Sequence, residues 1–293
     1  MRFTEIGQQL RAYRLESGMR AEEIAARLGV SRAALYRYEK GDVIKLDTIN
    51  RLADLLKISP LSLLGIGVEY YNRPIGYFER LRQTEETADQ ILQAHGPLCY
   101  LTTSDRYDET LAHALDEASE HSGADRASQR ATIEQVLGIL AARKRLYGMR
   151  RPGIIAVVSL PRLQHFIETG IAGALPLSDR TRKLCRRVAA EEAANIASMM
   201  EAEPMGLQFG LLATVEPTGG FAILRTRDRA TLAINPFSTD AAPDAPSGVA
   251  MITGADEAIA AHQRVAEAQW RASLKGAAAA ARVRDLLAAH STR

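Results

Sequence analysis

Residues 20–41 read RAEEIAARLGVSRAALYRYEKG. Ile24, Ala25 and Leu28 recur at helical spacing, Gly29 permits a sharp turn and Val30 points inward. Ser31 is the cap of a second, short helix that turns Leu35 and Tyr38 inward and leaves Arg, Tyr and Lys on its outer face. A second helix of this size and charge, braced by a tight turn, fits the DNA major groove.

The flanking sequence extends the pattern. A first helix runs from its cap Thr4 to Ser17, with Ile6, Leu10 and Tyr13 along one face and Gly18 as a left-handed stop. Beyond Gly41, Asp47 caps a fourth helix that turns Ile49, Leu52, Ala53 and Leu56 inward, and Ser59-Pro60 opens a short fifth. The expectation is an all-α five-helix bundle over residues 1–66. Arg14 and Glu39 each lie near an apolar face, which is costly unless the charges meet, so a partly buried ion pair is expected between them. Residues 1–66 hold 11 Lys/Arg against 8 Asp/Glu, while the whole chain of 293 residues carries a net charge of +2. That modest excess fits a DNA-binding head on a neutral body and would not establish one alone.

Leu10 with Arg14, Gly18, Glu23-Ile24-Ala25, Leu28-Gly29-Val30-Ser31, the run Leu35 to Gly41, and Leu52-Ala53 fall in register across this domain. On these residues the stretch from about Ile6 to Leu64 resembles the XRE family, helix-turn-helix domains of the phage Cro and repressor type. The resemblance implies a double-stranded DNA partner and a recognition helix with Ser31, Arg32, Ala33, Ala34, Tyr36 and Arg37 on its exposed front. Arg32 and Arg37 are the expected readers of base edges, since a bidentate Arg–guanine contact gives roughly 1–3 kcal/mol of discrimination. Lys40 and Lys45 are expected on phosphate. Where the family often has Gln at the start of helix two, this chain has Ala21, and Arg20 before it is expected to serve as a substitute phosphate contact.

After Leu64 the segment GIGVEYYNRPIGY, with three glycines and Pro74, reads as a packed aromatic hinge. An amphipathic helix is expected from Phe78 to about Ala94, either a dimer seam or a helix packed on its own domain. Residues 67–95 are thus assigned to a hinge and linker helix. Short aliphatic or β-branched runs at 98–103, 154–160, 207–215, 221–226, 231–235 and 249–253 then alternate with helical stretches at 107–119, 127–148, 161–173, 179–201 and 256–289. This predicts an α/β domain around a mixed sheet over 96–293, with a sensory, effector or oligomerisation role. Thr218-Gly219-Gly220 is read as a hairpin turn. The fold class is therefore multidomain, a helical bundle followed by an α/β body. The closing hairpin and helix, up to Trp270, loosely resemble phospholipase-D-like modules found behind bacterial helix-turn-helix domains, without their catalytic His-x-Lys signature.

No apolar run approaches bilayer length, and the start MRFTEIGQQL is unlike a signal peptide. Cys99 and Cys185 stand far apart, outside any Cys-x-x-Cys pattern. A cytoplasmic protein with no membrane partner, metal or cofactor is expected. The sequence has no phosphate-binding Gly-x-x-x-x-Gly-Lys loop, no Gly-x-Ser-x-Gly elbow and no His-Glu-x-x-His. Gly65-x-Gly67 is read as hinge and Glu191-Glu192 as a solvated face, so no catalytic residue is assigned. Thr102-Thr103-Ser104-Asp105, at the end of an expected strand, either holds a ligand or caps the next helix. The functional expectation is a transcription regulator, not an enzyme, acting as a homodimer on a palindromic operator and modulated through its C-terminal domain by a small-molecule effector of unidentified class. The alternatives are an antitoxin-like interaction protein and an enzyme with a fused autoregulatory DNA-binding head.

Overall fold

Helices form in the N-terminal bundle where apolar residues recur at helical spacing, and Ser31 and Ser59 cap two of them. In the computed structural model, which describes residues 3–120, 126–213, 219–237 and 248–291, these are α1 (Phe3–Ser17), α2 (Ala21–Leu28), α3 (Arg32–Glu39), α4 (Leu46–Leu56) and α5 (Pro60–Leu63). Leu10, Ile24, Leu35, Leu52 and Leu63 meet at its centre, fully buried. The start of α4 differs from the expected cap. Lys45 holds that position through its extended backbone, and Asp47 lies in the first turn, where its charge suits the helix dipole.

The α/β part comprises β1 (Val68–Tyr71), α6 (Pro74–Glu85), β2 (Gln90–Gly96), a 3-10 turn at Tyr100–Thr102, α7 (Asp105–Glu120), α8 (Arg126–Arg150), β3 (Gly153–Ser159), α9 (Leu160–Thr169), α10 (Asp179–Ala202), β4 (Leu207–Leu212), β5 (Gly220–Arg225), β6 (Ala230–Asn235), β7 (Ala250–Thr253), α11 (Asp256–Ala272) and α12 (Gly276–Ser291). Among the described residues the strands form one seven-stranded sheet in the order β1-β7-β6-β5-β2-β3-β4. β2, β3 and β4 run parallel, and the β5, β6, β7 and β1 pairings are antiparallel, so the sheet is mixed.

Several expected elements are corrected. Residues 67–95 are not a linker: β1 is an edge strand of the sheet, α6 stops at Glu85, and Ile91 and Leu92 belong to the central strand β2. The run 98–103 is no strand, because β2 ends at Gly96 before Pro97 and the chain then makes the 3-10 turn. Thr218 lies outside the described residues, but β4 and β5 on either side of that segment are separated by β2 and β3, so they form no hairpin. The long helix expected over 256–289 breaks into α11 and α12, where Leu274 exchanges backbone hydrogen bonds with Leu211 and Gly276 takes φ +55°. Glu192 is not solvated. It is buried and accepts hydrogen bonds from the amide and hydroxyl of Ser104, whose hydroxyl also accepts from the Tyr107 amide at the start of α7. Ser104 thus caps a helix.

The two faces of the sheet are covered differently. Ala94, Phe221, Ile223 and Leu232 pack with Ile259 and Ala266 of α11. On the other face Ile91 pairs with Leu224, and Gln93 with Ala222, beneath α6, α7 and α8.

The bundle is seated on this body through α1, which lies along α6. The Glu16 carboxylate accepts the backbone N–H groups of Asn72 at 2.6 Å and Arg73 at 3.1 Å, satisfying donors at the start of α6. Arg11 pairs with Glu79 at 2.8 Å, and Tyr13 stacks on Tyr71 with ring centroids 5.3 Å apart. Buried Glu69 of β1 accepts from Gln9 of α1 at 2.6 Å, from the Tyr71 hydroxyl at 2.7 Å and from both forks of Arg80 at 2.9 and 3.0 Å. One apolar core runs without a break from Ile6 to Val283.

Candidate nucleic-acid interface

The turn that aims α3 is built from backbone hydrogen bonds. Gly29 adopts φ +71°, its N–H donates to Ala26, and the Val30 N–H donates to Ala25 at 3.0 Å. This left-handed stop ends α2 and satisfies carbonyls that the helix end would leave unpaired. Ser31 follows in extended conformation and its Oγ accepts from the Ala34 amide at 3.1 Å, starting α3. Arg51 of α4 donates to the Leu28 carbonyl at 3.0 Å, which fixes the end of α2 from outside.

α1 crosses the far end of α3. Arg14 Nε donates to Glu39 Oε1 at 2.5 Å and Arg14 Nη2 to Oε2 at 3.1 Å, a bidentate pair with Glu39 buried. The backbones meet at Gly7, where a Cβ would stand 2.4 Å from the Tyr38 carbonyl oxygen. Gly7 is therefore a positioning residue that the apolar spacing of the sequence did not mark. Its signal is a glycine inside an otherwise well-formed helix, where it costs stability unless something packs against it.

Ser31, Arg32, Ala33, Arg37 and Lys40 stand exposed along α3, and Tyr36 is half-buried. Ala34 does not belong to the exposed front. It is buried, because positions 34, 35, 38 and 39 recur at the spacing of a single helix face and that face is turned to the bundle. The guanidinium of Arg32 pairs with Glu22 of α2 at 2.7 Å, donates to the Tyr36 hydroxyl and lies 5.3 Å above the Tyr36 ring centroid. Arg37 pairs with Asp42 at 3.2 Å. Neither carboxylate was marked in the sequence. Both pairs are solvent-exposed, so opening one costs at most about 1 kcal/mol and either arginine is available to a stronger acceptor.

These pairs bring the start of α2 and the loop before α4 beside the outer face of α3. Arg20 lies two residues from Glu22 and Lys45 three from Asp42. Arg20 and Lys45 are both exposed, each at the N-terminus of a helix, where free N–H groups and the positive end of the dipole suit an anion such as phosphate. Ala21, at the position where Gln was noted as the usual residue, is buried and offers no contact.

Residues 5–63 match a family model described as a helix-turn-helix domain. The N-terminal bundle is a helix-turn-helix DNA-binding domain. The match stops where the bundle ends and leaves the α/β body without an assigned family. No curated protein and no solved structure matches the chain. Among the described residues no helix is long and apolar enough to cross a membrane, and no group of three or more His, Cys, Asp or Glu is arranged to hold a metal ion.

Proposed function

We propose that this chain is a sequence-specific transcription regulator of the XRE type, acting in the cytoplasm as a homodimer on a palindromic operator. Arg32 and Arg37 read base edges in the major groove, Ser31, Ala33 and Tyr36 pack along the groove, and Arg20, Lys40 and Lys45 hold phosphates. The observation that carries this reading is the outer face of α3, where both arginines are exposed, Arg37 paired with solvated Asp42 and Arg32 with solvated Glu22 and with Tyr36 of its own helix. The homodimer is part of the proposal because two copies related by a two-fold axis would meet half-sites one helical turn apart.

The α/β body is read as a regulatory module and not as a catalyst. The segment expected as a packed aromatic hinge forms β1 and the start of α6, on which the head is seated, so in this reading regulation works by tilting α1 through α6 and β1. A tilt that spoils the spacing of two half-sites changes operator affinity steeply, because both heads must dock together. The phospholipase-D-like likeness of the closing hairpin carries none of this. Enrichment of bound sequences from a random duplex pool tests the proposal. The expected product is an inverted repeat with half-site centres about one helical turn apart. Recovery of no common motif would overturn sequence-specific reading, and a motif without a repeat would overturn the dimer.

A further inference from the structure

A cavity of about 540 Å³ opens between α6, α7, α8, α9 and the sheet. Well-packed interiors contain few voids larger than a water molecule, and this volume falls within the range of small-molecule sites. Gly96, Pro97 and Leu98 line it at the end of β2. Open α/β sheets gather ligands beyond the carboxyl ends of their strands. Residues 102–105, read in the sequence as a candidate ligand site at a strand end, follow the 3-10 turn instead.

What this space suits is set by where the polar groups of its lining are already committed. The Glu85 carboxylate and the Arg143 guanidinium hold each other in a bidentate pair at 2.7 and 2.8 Å. Arg143 also lies over the Phe78 and Tyr100 rings, 5.5 and 5.4 Å from their centroids. The Gln93 amide donates to the Leu98 carbonyl at 3.0 Å, and Asn235 accepts the Phe237 N–H at 3.0 Å. The Tyr100 hydroxyl donates to Asp108 at 3.1 Å, and that of Thr169 to the His165 carbonyl at 2.8 Å. Glu85 and Arg143 are the buried charges of the described lining, and they cancel. On α9, Arg162 is half-buried with a partner of its own and His165 is exposed. An ionised ligand sunk among the buried groups would therefore lack a counter-charge, which is costly. The rest of the wall is hydrocarbon. Tyr77, Phe78 and Phe237 stand steeply tilted to one another with ring centroids 5.4, 5.8 and 6.5 Å apart, an arrangement that a further aromatic ring extends favourably.

We propose that this cavity binds an uncharged, largely aromatic small molecule, and that the DNA-binding head reads its occupancy. Burial of hydrocarbon and ring packing supply the affinity, and the balanced charge of the wall disfavours ions. The coupling runs through α6. Pro74, Tyr77, Phe78 and Leu81 face the cavity, while Arg73, Gly76 and Glu79 of the same helix hold α1. At Gly76 a Cβ would come within 2.8 Å of Glu16 Cβ, so α6 has little room to move without displacing α1. This second half rests on the DNA-binding reading above.

Fluorescence titration of the full chain with uncharged N-phenyl-1-naphthylamine, and with its sulfonated anion 1-anilinonaphthalene-8-sulfonate, tests the site. One uncharged probe per chain is expected, bound about tenfold more tightly than the anion. Ala222→Phe, which fills the cavity from β5, should weaken the uncharged probe about tenfold. Glu85→Gln, which leaves the Arg143 charge unbalanced, should shrink or reverse the preference. Circular dichroism confirms that each variant is folded, and the two probes on the parent chain decide the class if one is not. No saturable binding, binding of the anion as tight as that of the uncharged probe, or an affinity unchanged in folded Ala222→Phe would overturn the site. A preference unchanged in folded Glu85→Gln would overturn charge balance as its cause. The loaded protein is then titrated with operator DNA, where occupancy should change affinity about fivefold or more. Probe binding without such a change would overturn the coupling, whereas a protein that binds the probe yet never binds DNA would overturn the regulator reading and leave the site standing.

Discussion

At the scale of single residues the account stands on two arginines. Arg37→Ala, and Arg32→Ala beside it, should each weaken operator binding by about 1–3 kcal/mol and relax selectivity, with the bundle still folded, because neither side chain supports the core. Operator titration with circular dichroism as the folding control checks this, and undiminished selective binding in both variants contradicts it. Lys45→Ala should behave differently. It should weaken binding to all duplexes alike and lower the slope of log affinity against log salt by about one unit, read from the same titration at several salt concentrations. The exposed faces of α3 were legible because Ser31 and Gly29 fix where the helix starts and periodicity says which side turns inward. Ala34 was misplaced by one helix position, and Glu22 and Asp42 were not seen at all, since pairing of exposed side chains from different elements leaves no local signature.

At the scale of elements the contact of α1 with β1 and α6 is the feature on which head and body depend. Glu69→Ala would leave Arg80, largely buried, without its counter-charge, and should cost about 3–5 kcal/mol in denaturant unfolding. A loss below about 1 kcal/mol would mean the network does not hold the interface. Glu79 gives the contact a pH dependence. Burial alone would raise its carboxyl, but the hydrogen bond from Arg82 and the charges of Arg11 and Arg82 outweigh it and hold the group below its ordinary value. A depressed carboxylate stabilises the fold above its unfolded-state pKa, and this contribution fades as pH falls through the folded value. Glu16 runs the other way: burial raises it despite the backbone N–H groups of Asn72 and Arg73, so its contribution is present at low pH and fades as pH rises. Glu79→Gln should therefore flatten the loss of stability expected of the parent chain as pH falls below about 5, and an unchanged acid limb would contradict the assignment. This contact was the part least legible in the sequence. Ile91 and Leu92 continue the helical spacing of Leu81 and Ala88, so a helix to Ala94 looked consistent. Only the pairing of β2 with β3 and β5 on both sides makes it a strand, and that is a long-range fact. In the same way Tyr70 and Tyr71 read as hinge aromatics until β7 is seen to pair with them.

At the scale of the whole molecule the chain is a helix-turn-helix head fixed to a mixed-sheet body, with one core spanning both. The division into a bundle and an α/β part was readable, since helical capping signals end near Leu64 and strand-like runs begin later. The seating of the head was not, because it depends on charges such as Glu16 and Glu69 meeting partners on other elements. The central claim, that α3 reads DNA sequence, is tested most directly by gel-shift titration of the full chain against DNA from its own upstream region, with random duplex as competitor, at two salt concentrations. The account predicts selective retardation that weakens as salt rises. Retardation no stronger than on random duplex, at both salts, would contradict it.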